Sequence, residues 1–235
     1  MLALLLALSA RAETYTFTSV QRYDYKEHDM IALRGALSCE RGDGTMSCTV
    51  VGGELSLEFL TNEGVVLKSV RPTYNAPIRS TWAGGALLEV VDYEDVPHAG
   101  MLRLAIGAMQ LPTLPAQCSP GERWKVKEPL GMMRIPGVDG ASSYRTIFTT
   151  EGCQGSVATV SIAATSTMTP VWIDVDRNRG RFTFKGRGLA VVDTASGVVQ
   201  RNEYHQAFVS GNTATTVNLP DGISVVVEVV PQAPE

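Results

Sequence analysis

Most of this chain is written with a period of two. Ser143 to Thr149, Ser156 to Ala163, Arg181 to Val192, Gly197 to Val209 and Ile223 to Val230 are each period-2 stretches rich in Val, Thr, Ile and aromatics. Thr14 to Thr18 and Gly53 to Leu60 do the same, the latter passing through Thr61-Asn62-Glu63-Gly64 into Val65-Val66-Leu67. Side chains two residues apart share one face of a strand, so the pattern specifies half-buried strands with one wet side. Gly, Pro, Asn and Asp clusters bound these segments. Glu151-Gly152, Asp193 to Gly197 and Pro220-Asp221-Gly222 read as hairpin turns. Strands follow strands without helices between them, which predicts an all-β, mainly antiparallel protein and not a βαβ sheet.

One segment departs from this. Met101, Leu102, Ala105, Ile106 and Met109 recur at helical spacing, with Asp95 as a candidate N-cap and Pro97 in the first turn. A short helix is expected near 96–109. Leu111-Pro112-Thr113-Leu114-Pro115 then reads as stiff and extended. That places a linker at 110–115 between an N-terminal β half, 13–109, and a C-terminal β half, 116–231, with 232–235 as a loose tail. No internal repeat relates the halves.

The first twelve residues, MLALLLALSARA, carry an apolar run from Leu2 to Leu8 and the small-residue pattern Ala10-Arg11-Ala12. They read as a signal peptide, 1–12, with Glu13 as the mature terminus; the other reading is a buried N-terminal helix. The four cysteines agree with export, and none forms a C-x-x-C pair. Cys39 and Cys48 flank a Gly-Asp-Gly turn, and a hairpin there sets the two sulfurs opposite each other. Of the connectivities open to four cysteines the hairpin favours this one, which leaves Cys118 with Cys153. A zinc site would want close-spaced ligand pairs and a nearby His. The protein is therefore expected to be exported: periplasmic, envelope-associated or secreted.

Composition narrows the class further. Among 235 residues, 44% are hydrophobic, close to ordinary globular usage. No apolar run is long enough for a transmembrane helix. Twenty Lys and Arg against 24 Asp and Glu give a net charge of −4, which argues against a nucleic-acid partner.

The second half has a recognisable arrangement. Leu114-Pro115 stands near Pro120-Gly121-Glu122-Arg123-Trp124, and Gly188-Leu189-Ala190-Val191-Val192-Asp193-Thr194-Ala195-Ser196-Gly197 follows late. This resembles a loose group of exported bacterial β-sheet proteins with an L-P … P-G-x-x-W … D-T-x-x-G pattern. Some members look distantly like curved-sheet carriers of lipid or lipoprotein acyl chains. The resemblance implies architecture more than activity, because function belongs to sites grafted on a fold, and it carries over no catalytic residues.

Candidate chemistry is sparse. His28, His98 and His205 occupy no metal-pair spacing. His28 falls in a polar hairpin end, and His205 on a strand beside Tyr204, where cross-strand hydrogen bonding accounts for it. Asp92, Glu94, Asp95 and His98 could offer a divalent metal carboxylates and an imidazole, or simply form an acidic helix start that complements the dipole. Asp174-Val175-Asp176-Arg177-Asn178 opens like a calcium loop. Arg179 then stands where Gly is wanted and Lys185 where Glu is wanted, so a β-turn is the better reading. Arg41-Gly42-Asp43 spells an adhesion tripeptide but fits the same Gly-Asp-Gly turn. No nucleophile elbow, P-loop or dinucleotide motif occurs. No catalytic residue, metal ligand or cofactor is assigned.

Trp124 follows a Pro-Gly turn and shares a face with Val126, while Lys125 and Lys127 take the opposite face. It is expected to anchor the core of the second half; the rival is a surface platform for a sugar or partner. The functional expectation is a non-catalytic binding or structural component of the bacterial envelope, its partner an unknown protein or a hydrophobic ligand. The alternatives are a carrier of lipid or acyl chains in a curved-sheet cavity, and a secreted hydrolase in which His98 or His28 converges on carboxylates.

Overall fold

The computed structural model describes residues 12–23, 29–42, 44–60, 66–72, 77–83, 86–91, 99–111, 118–127, 140–170, 181–212 and 222–230. In chain order the strands are β1 (Glu13–Tyr23), β2 (Asp29–Gly42), β3 (Thr45–Val50), β4 (Glu54–Leu60), β5 (Val66–Pro72), β6 (Ile78–Ala83) and β7 (Ala86–Val91). Helix α1 (Ala99–Ala108) follows, then β8 (Arg123–Val126), β9 (Gly140–Gln154), β10 (Val157–Pro170), β11 (Arg181–Asp193), β12 (Val198–Asn212) and β13 (Gly222–Val229). All thirteen strands belong to one sheet in the order β7-β6-β3-β2-β1-β13-β12-β11-β10-β9-β8, with β4 on β2 and β5 on β4. Every pairing is antiparallel. The first and last strands are neighbours, so strands from 13–109 and from 116–231 share a single sheet. Residues 112–115 of the expected linker, the leader to Arg11 and the tail 232–235 lie outside the described residues.

The outer partner of β2 is interrupted. Val50 pairs with Leu37 and Ser56 with Arg34, so β3 and β4 run along β2 as one strand broken by Val51–Gly53. Gly52 and Gly53 take φ of 75° and 72° there, the left-handed region that glycine enters without steric cost. Such a break bends the strand as a bulge does. It also forks the sheet, since β6 continues from β3 and β5 from β4.

Two turn readings meet the structure differently. Asp193 to Gly197 is a tight turn, with the Gly197 N–H donating to Asp193 O at 2.7 Å and Ser196 Oγ to Asp193 Oδ2 at 2.8 Å. The Ser196 hydroxyl, with the Ala195 N–H donating to Oδ1 at 3.0 Å, holds the exposed Asp193 carboxyl below its usual range. Glu151-Gly152, expected as a hairpin, instead lies within β9. The turn falls at Gly155-Ser156, where Gln154 pairs with Val157 and Gly155 has φ 59°. The ladder shifts around Glu151, because Gly152 faces Thr159 and Thr150 faces Val160. A Gly placed inside a strand marked a bulge and not the corner.

The inner face of the sheet packs on α1. Tyr15 and Phe17 of β1, Leu33 and Leu37 of β2, Val225 and Val227 of β13, Tyr204 of β12, Ala190 and Val192 of β11, Val160 and Ile162 of β10 and Phe148 of β9 join Met101, Leu102, Ala105, Ile106 and Met109 in one cluster. The spacing of those five helical residues suggested one apolar stripe. The helix is in fact enclosed, for Leu104 and Ala108 are equally buried and Arg103 is the partly exposed exception from 101 to 109. A helix apolar on every side is a core helix, not a surface one. Its end is held by the sheet: Asn202 Nδ2 donates to Ala108 O at 2.9 Å, and Arg41 Nη2 to Met109 O at 2.9 Å. Both satisfy carbonyls that a helix C-terminus leaves unpaired, and the Arg41 charge suits the dipole. Arg41 also binds Glu13 Oε2 at 3.1 Å and the Tyr15 hydroxyl at 2.7 Å. Burial outweighs the neighbouring guanidinium and pushes the Tyr15 phenol up to about 12.

Aromatic rings cover glycines across the strands. Phe17 faces Gly35, and Tyr204 faces Gly188 with Gly186 beside it. A Cβ added at Gly186 would stand 1.9 Å from the Tyr204 hydroxyl and 2.4 Å from its Cζ. Tyr204 is fully buried, and desolvation holds its phenol above the ordinary range. The ring therefore has nowhere to retreat. Gly186→Ala is expected to cost about 1–3 kcal/mol through overpacking, measured as a shifted urea midpoint at unchanged slope.

Candidate functional site: a basic hollow on the outer face

Strand alternation puts the polar phase of β9 to β13 and β1 on the face turned away from α1. Register then assembles two rungs there. Val20, Ser224, His205, Arg187, Ala163 and Ile147 are paired in series across β1-β13-β12-β11-β10-β9. One step along, Arg22, Gly222, Ala207, Lys185, Thr165 and Arg145 form the second series. These residues line a hollow of about 860 Å³ together with Val209, and the intervening backbones of Ala164, Gly186, Gln206 and Ile223 form its floor. The volume lies within the range of small-molecule sites.

The lining combines two chemistries. Arg22, Arg145, Lys185 and Arg187 are exposed cations, and none of the described lining residues is a carboxylate. Between them lie small or aliphatic residues: Val20, Ile147, Ala163, Ala207 and Gly222. Val209 keeps 48% of its surface exposed at the end of β12, and Leu189 keeps 49% one rung away. In a chain of net charge −4 this grouping of cations is a local inversion of sign. His205 sits at the rim, its Nε2 3.0 Å from Glu203 Oε1 on the same strand, so the cross-strand partner expected for it is replaced by one two residues away. That contact, aided by Arg201 at 3.4 Å, holds the Glu203 carboxyl below its usual range.

The residues singled out from the sequence fall as follows. Cys39 and Cys48 face each other across β2 and β3 and are bonded, with Cα atoms 4.1 Å apart; Cys118 and Cys153 are bonded at 6.1 Å. His28, His98, the Asp92-Glu94-Asp95 cluster and Asp174 to Gly180 lie outside the described residues. Among the described residues no group of three or more His, Cys, Asp and Glu could hold a metal. Trp124 lies on the inner face, partly buried, stacked on Phe148 with ring centroids 5.2 Å apart. Gly121, at φ 83°, ties the preceding turn to β9 by donating to Thr150 O at 2.7 Å.

We propose that Trp124 anchors this end of the core. Trp124→Ala is then expected to cost about 3 kcal/mol, the low end for a large aromatic because the ring is only partly buried. Its indole Nε1 is buried with no hydrogen-bond partner among the described residues, so Trp124→Phe should cost much less. Melting curves of the two variants check this; an alanine variant melting with the wild type would refute it.

Sequence reasoning missed the hollow because no local motif marks it. The one trace is Lys185-Gly186-Arg187, two cations on the wet phase of a single strand.

No family model matches the chain. No curated protein matches it in sequence. Among solved structures, one described as "Lipid-protein interactions in lipovitellin" is similar with a TM-score of 0.51 at 12% identity, over 96% of this chain and 26% of that one. The chain thus spans about a quarter of that structure's length, and at this identity the likeness is one of fold. It agrees with an all-β sheet; the L-P … P-G-x-x-W … D-T-x-x-G pattern gains no family from it.

Proposed function

We propose that this protein is an exported, non-catalytic binding protein that carries a lipid-like, amphipathic ligand on the outer face of its sheet. The carrying observation is the hollow of about 860 Å³, which sets aliphatic side chains among four cations. Apolar lining with a few fixed polar groups is recognition chemistry. The inner face, where an acyl cavity would be sought first, is occupied around α1 by packed side chains. The fold likeness to lipovitellin supports the lipid reading, since that structure concerns lipid contacts. Export is supported by the two disulfides and by β1 starting at Glu13, so that cleavage after Ala12 would leave the strand whole.

Native mass spectrometry of mature protein purified from envelope or medium should show a lipid-mass adduct near one per chain. A fluorescent fatty acid should be taken up by stripped protein and displaced by that lipid. Ala207→Trp, which fills the hollow from an exposed position, should abolish uptake without lowering the melting temperature. Protein that carries no adduct and takes up no probe would refute the reading.

A further inference from the structure

The two rungs of the hollow specify the ligand's polar end. Arg145, Lys185 and Arg187 gather on β9 and β11, and Arg22 stands apart on β1. Neighbouring strands lie about 4.8 Å apart, which puts the Cα atoms of Arg145 and Lys185 about 10 Å apart and those of Lys185 and Arg22 about 14 Å apart. The positions between the poles are small, Ala207 and Gly222, and a Cβ at Gly222 would meet nothing closer than 3.7 Å. There is room between the poles for the body of a headgroup. One carboxylate would leave most of this charge unmatched. Guanidinium groups fork onto phosphate oxygens through two parallel hydrogen bonds, while a lysine adds a point charge.

From this arrangement, and resting on the carrier reading, we propose that the ligand is an amphiphile whose headgroup bears two or more phosphates. One is held by Arg145, Lys185 and Arg187, another by Arg22, and the headgroup lies over Ala207 and Gly222. The apolar chain leaves along Val209, which keeps 48% of its surface exposed at the end of the hollow.

Titration calorimetry with soluble, short-chain lipids tests this. The probes are dihexanoyl phosphatidylinositol, its bisphosphate derivative, and free inositol trisphosphate, which is the same headgroup without chains. The bisphosphorylated lipid should bind about tenfold or more tighter than the parent lipid, and added salt should erase the difference. Lys185→Gln with Arg187→Gln should remove the preference, so that the two lipids bind alike; Arg145→Gln alone should reduce it. All three positions are exposed, so folding is not at stake. Equal binding of the two lipids by wild type would overturn the phosphate inference while the carrier reading stands. Binding of neither lipid, with no fatty-acid uptake, would remove the carrier reading and this inference with it. Inositol trisphosphate binding as tightly as the bisphosphorylated lipid would make the hollow a free-phosphate site and overturn the lipid assignment. A preference that survives the double substitution would place the headgroup elsewhere.

Discussion

Leu102→Ala is expected to destabilise the protein by about 3–5 kcal/mol, the largest effect of any single side-chain truncation considered. Leu102 has no exposed surface and sits in the middle of α1, inside the cluster that joins strands from both ends of the chain. The helix is anchored at its C-terminus by Asn202 from β12 and Arg41 from β2, so it cannot slide to close the cavity the truncation leaves. A cavity that does not collapse is what separates the costly Leu→Ala cases from the mild ones. Leu102→Met, of similar volume, should cost under about 1.5 kcal/mol. Denaturant titration of the two variants checks the pair. An alanine variant within about 1 kcal/mol of wild type would mean that the helix is not a fixed part of the core.

Removing the Cys118–Cys153 bridge is expected to cost about 4 kcal/mol, because a crosslink spanning 35 residues restricts much of the unfolded chain. The Cys39–Cys48 bridge closes a separation of 9 and should cost about 3 kcal/mol. It also joins residues already paired in a hairpin, which lowers what the link adds. The Cys118–Cys153 bond does more, since it fastens the turn before β8 to the end of β9. A paired Cys118→Ser and Cys153→Ser variant should therefore melt lower than the paired Cys39→Ser and Cys48→Ser variant. Thermal scans under oxidising conditions check the order. If it is reversed, β8 is held chiefly by Trp124 on Phe148 and not by the crosslink.

Much of the fold was legible because its determinants are local. Period-two alternation in β1, β4 and β9 to β13 announces strands with one dry face, and the apolar spacing from Met101 to Met109 announces a helix. The hairpin at Gly42 and Thr45 could be read from Gly-Asp-Gly, and the disulfide across it from two cysteines at matched distances from the turn. The Glu151-Gly152 reading failed for an equally physical reason. Gly serves both a turn and a bulge, and only the partner strand distinguishes them.

What the chain alone could not tell is which strands meet. Arg22 and Lys185 are far apart in the sequence and fall in one rung, three strands apart, only because β1 pairs with β13. Each cation obeys its own strand's alternation, so each taken singly looks like an ordinary solvated side chain. Helical spacing likewise says that α1 has a buried face, but not that nearly all of its residues are enclosed. The sequence by itself determined the phase of each strand, the helix and the hairpin crosslink, because these depend on neighbours a few residues apart. The tertiary structure decided the enclosure of the helix and the gathering of four cations over small residues, because both depend on register between strands that only long-range pairing brings together.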